Sequence, residues 1–214
     1  MKQFLICAAI ASLLIASQGH AAPAKPPATP FVIPHGQKDV TLATAGTYTL
    51  DPNHVAILAR VSHVGFSISV FRFGSAAGTL EWDPTHIAKS KLSATVQTSS
   101  IETNVAGFAK QLQGQEYLNS ARYPEATFVS TAFRQSDATH GKVDGRFTLM
   151  GKTIPLTFDV TLIGAGPGFA GGPVMGHVIG IHAETEIKPH DFGLPAIFSE
   201  PIGLVIDTEF DKKS

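Results

Sequence analysis

Nine histidines stand in this chain, and imidazole is the side chain most often recruited for metal binding and proton transfer near neutral pH. His20 belongs to an N-terminal apolar leader and His35 to a proline-rich stretch. The closest remaining pair, His177 and His182, is separated by an odd offset on a predicted strand, which points the two rings to opposite faces. No HExxH, HxH or CxxC occurs, so a zinc or copper site would have to be assembled from distant positions; no metal and no other cofactor is expected. Gly166-Pro-Gly168-Phe-Ala-Gly171 matches GxGxxG, with Asp191 twenty residues beyond it. A dinucleotide fingerprint must open a helix, whereas Gly172 and Pro173 lead here into another strand-like run, so a flexible hairpin loop is expected. GxSxG and SxxK are absent, and Asp51, Glu81, Asp83 and Asp191 all neighbour Pro- or Gly-containing turns, where a carboxylate ordinarily accepts backbone N–H bonds. The single cysteine, Cys7, lies in the leader, which leaves an exported product without thiol chemistry. These residues do not predict an enzyme.

What remains is apolar surface and the strands that must present it. Charged residues make up 15% of the 214, against 20 Gly and 14 Phe, a mixture that favours strands and turns. A formal charge of -1 supplies no basic field for nucleic acid or an anionic membrane. Met1-Lys2-Gln3, the apolar run Phe4 to Ala16 and Gly19-His20-Ala21 read as a signal peptide over residues 1–21, with cleavage before Ala22. No later run approaches the ~20 apolar residues of a spanning helix, so stable membrane insertion is not expected. Residues 22–46 carry Pro23, Pro26, Pro27, Pro30 and Pro34 and read as a polyproline-like lead-in, with the folded domain at 47–214.

Inside that domain the dominant signal is alternation with period two. Ile154, Leu156, Phe158, Val160 and Leu162 share one face, and similar runs occur at Val55–Val61, Phe66–Phe73, Lys91–Thr98, Thr127–Phe133, Gly145–Met150, Val178–Ile187 and Gly203–Phe210. About eight antiparallel strands predict an all-β barrel, which removes its edges by closing. Ile101, Val105, Phe108 and Leu112 recur at helical spacing, predicting one amphipathic helix over 104–119, acting as lid or plug. Phe66, Ile68 and Val70 alternate with serines, and Phe71 and Phe73 bracket Arg72, so this strand is expected to turn large aromatics toward the interior. An eight-stranded barrel is either filled by its own side chains or holds one small ligand.

Six blocks then occur in order: Tyr48-Thr-Leu-Asp51-Pro-Asn-His54; Val61-Ser-His63-Val-Gly65-Phe66; Thr98-Ser-Ser-Ile101-Glu-Thr103-Asn104; Tyr123-Pro124-Glu-Ala-Thr-Phe128-Val-Ser130-Thr131; Gly145-Arg-Phe147-Thr-Leu149-Met-Gly151-Lys-Thr153-Ile-Pro155-Leu-Thr-Phe158; and Asp191-Phe192-Gly193-Leu194. Together they resemble the YceI-like family from about Thr47 to Phe210. The resemblance implies a lipocalin-like antiparallel β-barrel with a helix near one end. It also implies a periplasmic or secreted protein that binds long isoprenoids or fatty, amide-headed chains, and makes a homodimer reasonable.

Two departures from the family pattern bear on the ligand. Where the family commonly has Arg-Asp-x-His-Leu at the helix, this chain has Phe108-Ala109-Lys110-Gln111-Leu112, and Pro189 takes the usual Arg position before Asp-Phe-Gly. A neutral or weakly polar head group follows from the missing guanidinium. The expected function is an exported, non-enzymatic carrier or sequestering protein for a long apolar molecule such as an isoprenoid, quinone tail or fatty amide. The rival from another class is an enzyme or redox accessory acting on a quinone-like substrate in the same cavity. The candidate ligand contacts are His63, Phe66, Ile68, Phe73, Phe108, Leu112, Phe128, Phe147, Lys188, Asp191 and Phe192. Phe108 and Leu112 are expected at the barrel mouth; Lys188, His190 and Asp191, with His63 beside them, are expected to orient the head group unless Asp191 only caps a turn.

Overall fold

Alternating apolar and polar residues, interrupted by Gly, Pro and Asp turns, build nearly all of this molecule from strands. The computed structural model describes residues 32–170 and 172–213. The predicted signal peptide, and the lead-in up to Phe31, lie outside the described residues. Ile33–Ser214 forms one unit, made of β1 (Gly46–His63), β2 (Ser67–Phe73), β3 (Ala76–Trp82), β4 (Lys91–Gln97), β5 (Ile101–Glu102), α1 (Phe108–Leu112), β6 (Glu125–Gln135), β7 (His140–Leu149), β8 (Lys152–Phe169), β9 (Met175–Ile187), α2 (Pro189–Phe192) and β10 (Ile202–Lys213).

All pairings are antiparallel between neighbours, and β10 returns to pair with β1, so the sheet closes. Strand β1 is long enough to serve two partners: Ile57–His63 pairs with β2 and Gly46–Thr49 with β3. Thus β2 and β3 act as one interrupted strand, and the two residues of β5 extend its edge. The result is the eight-stranded antiparallel barrel, lipocalin-like, that the sequence predicts. Closure satisfies the backbone groups that an open sheet would expose.

The core divides along the barrel. Phe71, Ile101, Leu112, Leu118, Leu149, Ile187, Phe192, Leu194 and Ile202 pack at the end carrying α1 and α2. Phe128, Val143, Phe158 and Ala183 form the waist, with the Phe128 and Phe158 rings edge to face at 5.1 Å. Tyr48, Leu50, Leu80, Ala165, Ile179 and Phe210 pack at the opposite end.

Four features depart from the sequence reading. Ala76–Trp82 is a strand, hidden by its small residues; at Gly78 an added Cβ would stand 3.2 Å from the Ser93 carbonyl oxygen, a tight approach. Gly166–Phe169 continues β8 and pairs with Met175–Val178, so the expected flexible loop shrinks to a turn in which the Ala170 N–H donates to the Val174 carbonyl. The helix covers only Phe108–Leu112 of the expected 104–119. Gly107 opens it with φ +78°, and after Gln113 the chain folds back on itself, Leu118 N–H donating to the Leu112 carbonyl. Lastly, docking begins ahead of Thr47. Gln37 exchanges backbone bonds of 3.0 and 2.8 Å with Ala165, Gly36 lies against Gly164, whose Cα would stand 3.2 Å from an added Cβ, and Ala43 is fully buried.

Candidate functional site

Because Cβ atoms alternate across a strand, each strand of a closed barrel sends every second side chain inward. Here those side chains are mostly Ala, Val, Leu, Ile and Phe, and they enclose a cavity of about 300 Å³ running from the α1 end toward the β6–β7 turn. Ala59 and Val61 of β1, Phe71 and Phe73 of β2, Phe128 of β6, Phe147 of β7, Phe158 of β8, Ala183 of β9 and Leu204 of β10 form its wall. Small Ala59, Ala94, Ala126 and Ala183 leave the space that the phenylalanines do not fill. Leu112, Tyr117, Leu118 and Phe198 border it at the helical end, where the Tyr117 and Phe198 rings meet edge to face at 6.1 Å.

The wall offers almost nothing but carbon. Arg134 and Lys142 reach the cavity near the β6–β7 turn, but their cationic ends are engaged: Arg134 Nε donates to Asp144 Oδ2 at 2.7 Å, and Lys142 pairs with Asp159. Hydrogen bonding by Asp144 holds Arg134 above its ordinary pKa, so the guanidinium stays charged and occupied. Such a cavity can exclude water around an apolar chain.

Of the residues singled out from sequence, the structure brings Phe73, Leu112, Phe128 and Phe147 together on the cavity wall. Phe108 and Phe192 stand one layer behind: the Phe108 ring lies 6.2 Å from Phe71, and Phe192, 1% exposed, packs edge to face on Phe147 at 5.5 Å. Phe66 and Ile68 require a correction. Register pairs Ala59 with Phe71 and Ile57 with Phe73 on the inner face, and Ser62 with Ile68 and Arg60 with Val70 on the outer. Phe66 precedes the strand in a turn made by Val64 (φ +49°) and Gly65 (φ +79°), which leaves it 89% exposed. The Phe–Ser alternation is real, but its inner face is that of Phe71 and Phe73.

The expected polar end is also placed elsewhere. His63 is exposed where the β1–β2 hairpin turns. In α2, Pro189 and Phe192 are buried, whereas Lys188, His190 and Asp191 are exposed on the outer surface and do not border the cavity. Asp191 does not cap the turn either. The Gly193 N–H bonds the His190 carbonyl at 3.1 Å and the Leu194 N–H bonds the Pro189 carbonyl at 3.2 Å, so backbone closes it, with Gly193 at φ +85°. The candidate contacts left out Phe71, although the sequence reading named it beside Phe73 on a strand turning aromatics inward, and sequence reasoning missed Tyr117 and Phe198, which come from irregular segments without periodicity.

One metal-competent group occurs among the described residues, assembled from distant positions: donor atoms of Asp51, His54 and Glu209 lie within 4.8 Å of one another. Burial pushes the Asp51 carboxyl up, but hydrogen bonds from His54 and Asn53 outweigh it and hold the group below its ordinary value. The same bond to Asp51 raises His54.

Comparison with known proteins gives a consistent result. The model of the YceI-like domain matches residues 48–210. Protein YceI of Escherichia coli O157:H7 is 34% identical over 174 residues, covering 78% of this chain and 87% of that protein. The crystal structure of Burkholderia cenocepacia BcnA superposes with a TM-score of 0.65 at 19% identity, covering 75% of this chain and 98% of that one. A polyisoprenoid binding domain from Saccharophagus degradans, implicated in plant cell wall breakdown, superposes with a TM-score of 0.52 at 11% identity, covering 78% and 99%. No helix among the described residues is long and apolar enough to cross a membrane.

Proposed function

The chain belongs to the YceI-like family, and on that premise we propose that it is an exported, periplasmic or secreted carrier that sequesters a long apolar molecule of the isoprenoid class inside its barrel. The observation that carries this reading is the carbon-lined cavity of about 300 Å³. A barrel with no binding role would gain stability by filling that space, since an apolar void forfeits dispersion contacts. The Saccharophagus domain, a polyisoprenoid binder with the same fold, supports the ligand class. Export rests on the leader sequence Met1–Ala21.

The mechanism is burial. Each CH₂ withdrawn from water contributes about 0.8 kcal/mol, so ten buried carbons supply roughly 8 kcal/mol before association and ordering costs are subtracted. Phe73, Leu112, Phe128 and Phe147 make the contacts, and Phe108 and Phe192 hold them from behind. With Arg134 paired to Asp144 and Lys142 to Asp159, neither offers a free cation to an anionic head. The buried part of the ligand is therefore uncharged, and binding rather than catalysis is the activity.

Native mass spectrometry of protein purified from its host tests this. A co-purifying hydrophobic mass is expected, removable by organic extraction and replaceable by a polyprenol. Ala183→Trp, which places an indole in the cavity, is expected to abolish uptake while the barrel stays folded. A clean apoprotein that takes up no polyprenol, or undiminished uptake by Ala183→Trp, overturns the reading.

A further inference from the structure

The seam where the barrel closes contains a break in register. Leu50 faces Phe210 and Val55 faces Thr208, so four residues of β1, Asp51-Pro52-Asn53-His54, stand opposite the single residue Glu209 of β10. Pro52 suits such a break because it has no N–H to give a ladder. The bulge folds Asp51 inward and His54 back over it. The Asp51 side chain is 2% exposed, its Oδ1 accepting the Asn53 N–H at 2.8 Å and its Oδ2 lying 2.7 Å from His54 Nδ1; Glu209 Oε2 approaches that nitrogen from the neighbouring strand at 3.9 Å. Two carboxylates thus converge on one imidazole, and the three donor atoms lie within 4.8 Å of one another.

We propose that Asp51, His54 and Glu209 form a three-ligand site for a divalent metal of the zinc class, pinning β1 to β10 at the barrel seam. One imidazole nitrogen and two carboxylate oxygens are donors zinc accepts at about 2.0–2.2 Å. Tetrahedral donors at that distance stand about 3.4 Å apart, between the 2.7 and 3.9 Å seen here, so small side-chain rotations suffice. The Asn53 N–H on Asp51 Oδ1 orients that carboxylate from the second layer. His54 is 63% exposed and opens, with Glu209, on a shallow groove shared with Ile163 and Asp207, which leaves a fourth position for water or an added ligand. The site lies outside the apolar cavity and does not depend on what the cavity holds.

Isothermal titration of the purified full chain with zinc chloride, paired with the visible spectrum of added cobalt(II), tests the assignment. One equivalent is expected to bind, to give the intense bands of tetrahedral cobalt and to raise the melting temperature. Glu209→Gln and His54→Asn are expected to weaken zinc binding at least about tenfold. The asparagine amide can still donate to Asp51, so the bulge keeps its hydrogen bond while losing its nitrogen ligand. His182→Ala, which removes the separate His182–Asp207 pair on β9 and β10, is expected to change nothing. Absence of zinc uptake overturns the proposal, as does uptake unaffected by Glu209→Gln. A loss in His182→Ala matching that in His54→Asn would move the metal to the other pair and equally overturn it. Should His54→Asn fold poorly, Glu209→Gln decides alone.

Discussion

Phe147 and Phe192 touch each other yet stand in different surroundings, and the difference predicts opposite phenotypes. Phe192 is 1% exposed and packed on all sides behind the wall, whereas Phe147 borders the cavity with one face. Phenylalanine-to-alanine changes in cores cost about 3–5 kcal/mol, with the larger values where surrounding atoms cannot relax into the void. Phe192→Ala belongs at the upper end, about 5 kcal/mol. Phe147→Ala merely enlarges an existing space and forfeits contacts on fewer sides, about 3 kcal/mol. Their edge-to-face contact at 5.5 Å is worth about 0.5–1.5 kcal/mol, so the double variant should lose less than the sum by about that amount. Urea denaturation of the two single variants and the double gives these values, and a polyprenol titration of each gives the second half of the test. Phe147→Ala should weaken the ligand about tenfold, roughly 1.4 kcal/mol, and Phe192→Ala should leave affinity within about twofold. If Phe147→Ala destabilises as much as Phe192→Ala, or both alter affinity alike, the distinction between wall and backing is wrong.

Gly145 sits beneath Phe128, where an added Cβ would meet the ring at 2.3 Å and the Val129 carbonyl at 2.7 Å; Gly145→Ala should lower stability by about 1–3 kcal/mol, read as a reduced urea midpoint, and push Phe128 into the ligand space. At the β6–β7 turn, N–H bonds from Thr139 and the His140 side chain hold the Asp137 carboxyl down to about 2. Its folded value lies below the ordinary 3.8, so this stabilisation is present above 3.8 and disappears as pH falls through about 2. Asp137→Asn should flatten that part of the stability–pH curve, and an unchanged acid limb would refute the assignment.

Much of the fold is legible in the chain because periodicity is a local property. The alternation from Ile154 to Leu162 specifies a half-buried strand wherever it lies, and enough such runs must close or pair their edges. Local signals fail where neighbours decide. Ala76–Trp82 is a strand because β1 and β4 flank it, and Gly166–Phe169 extends β8 because β9 is there to pair. The helix at Phe108 stops after five residues because the chain must turn back beneath the barrel end.

The site divides along the same line. Sequence alone determined that this protein would bury apolar surface in a closed sheet, for which side-chain type and period two suffice. Only the tertiary structure decided which parity faces inward, and a two-residue turn at Val64-Gly65 moved Phe66 and Ile68 to the outside. It also decided that Lys188, His190 and Asp191 face solvent while Pro189 and Phe192 face the core. It brought Glu209 opposite a bulge formed some 155 residues earlier in the chain, at His54. Register between distant strands comes from summed packing across the whole barrel, which no window of sequence contains.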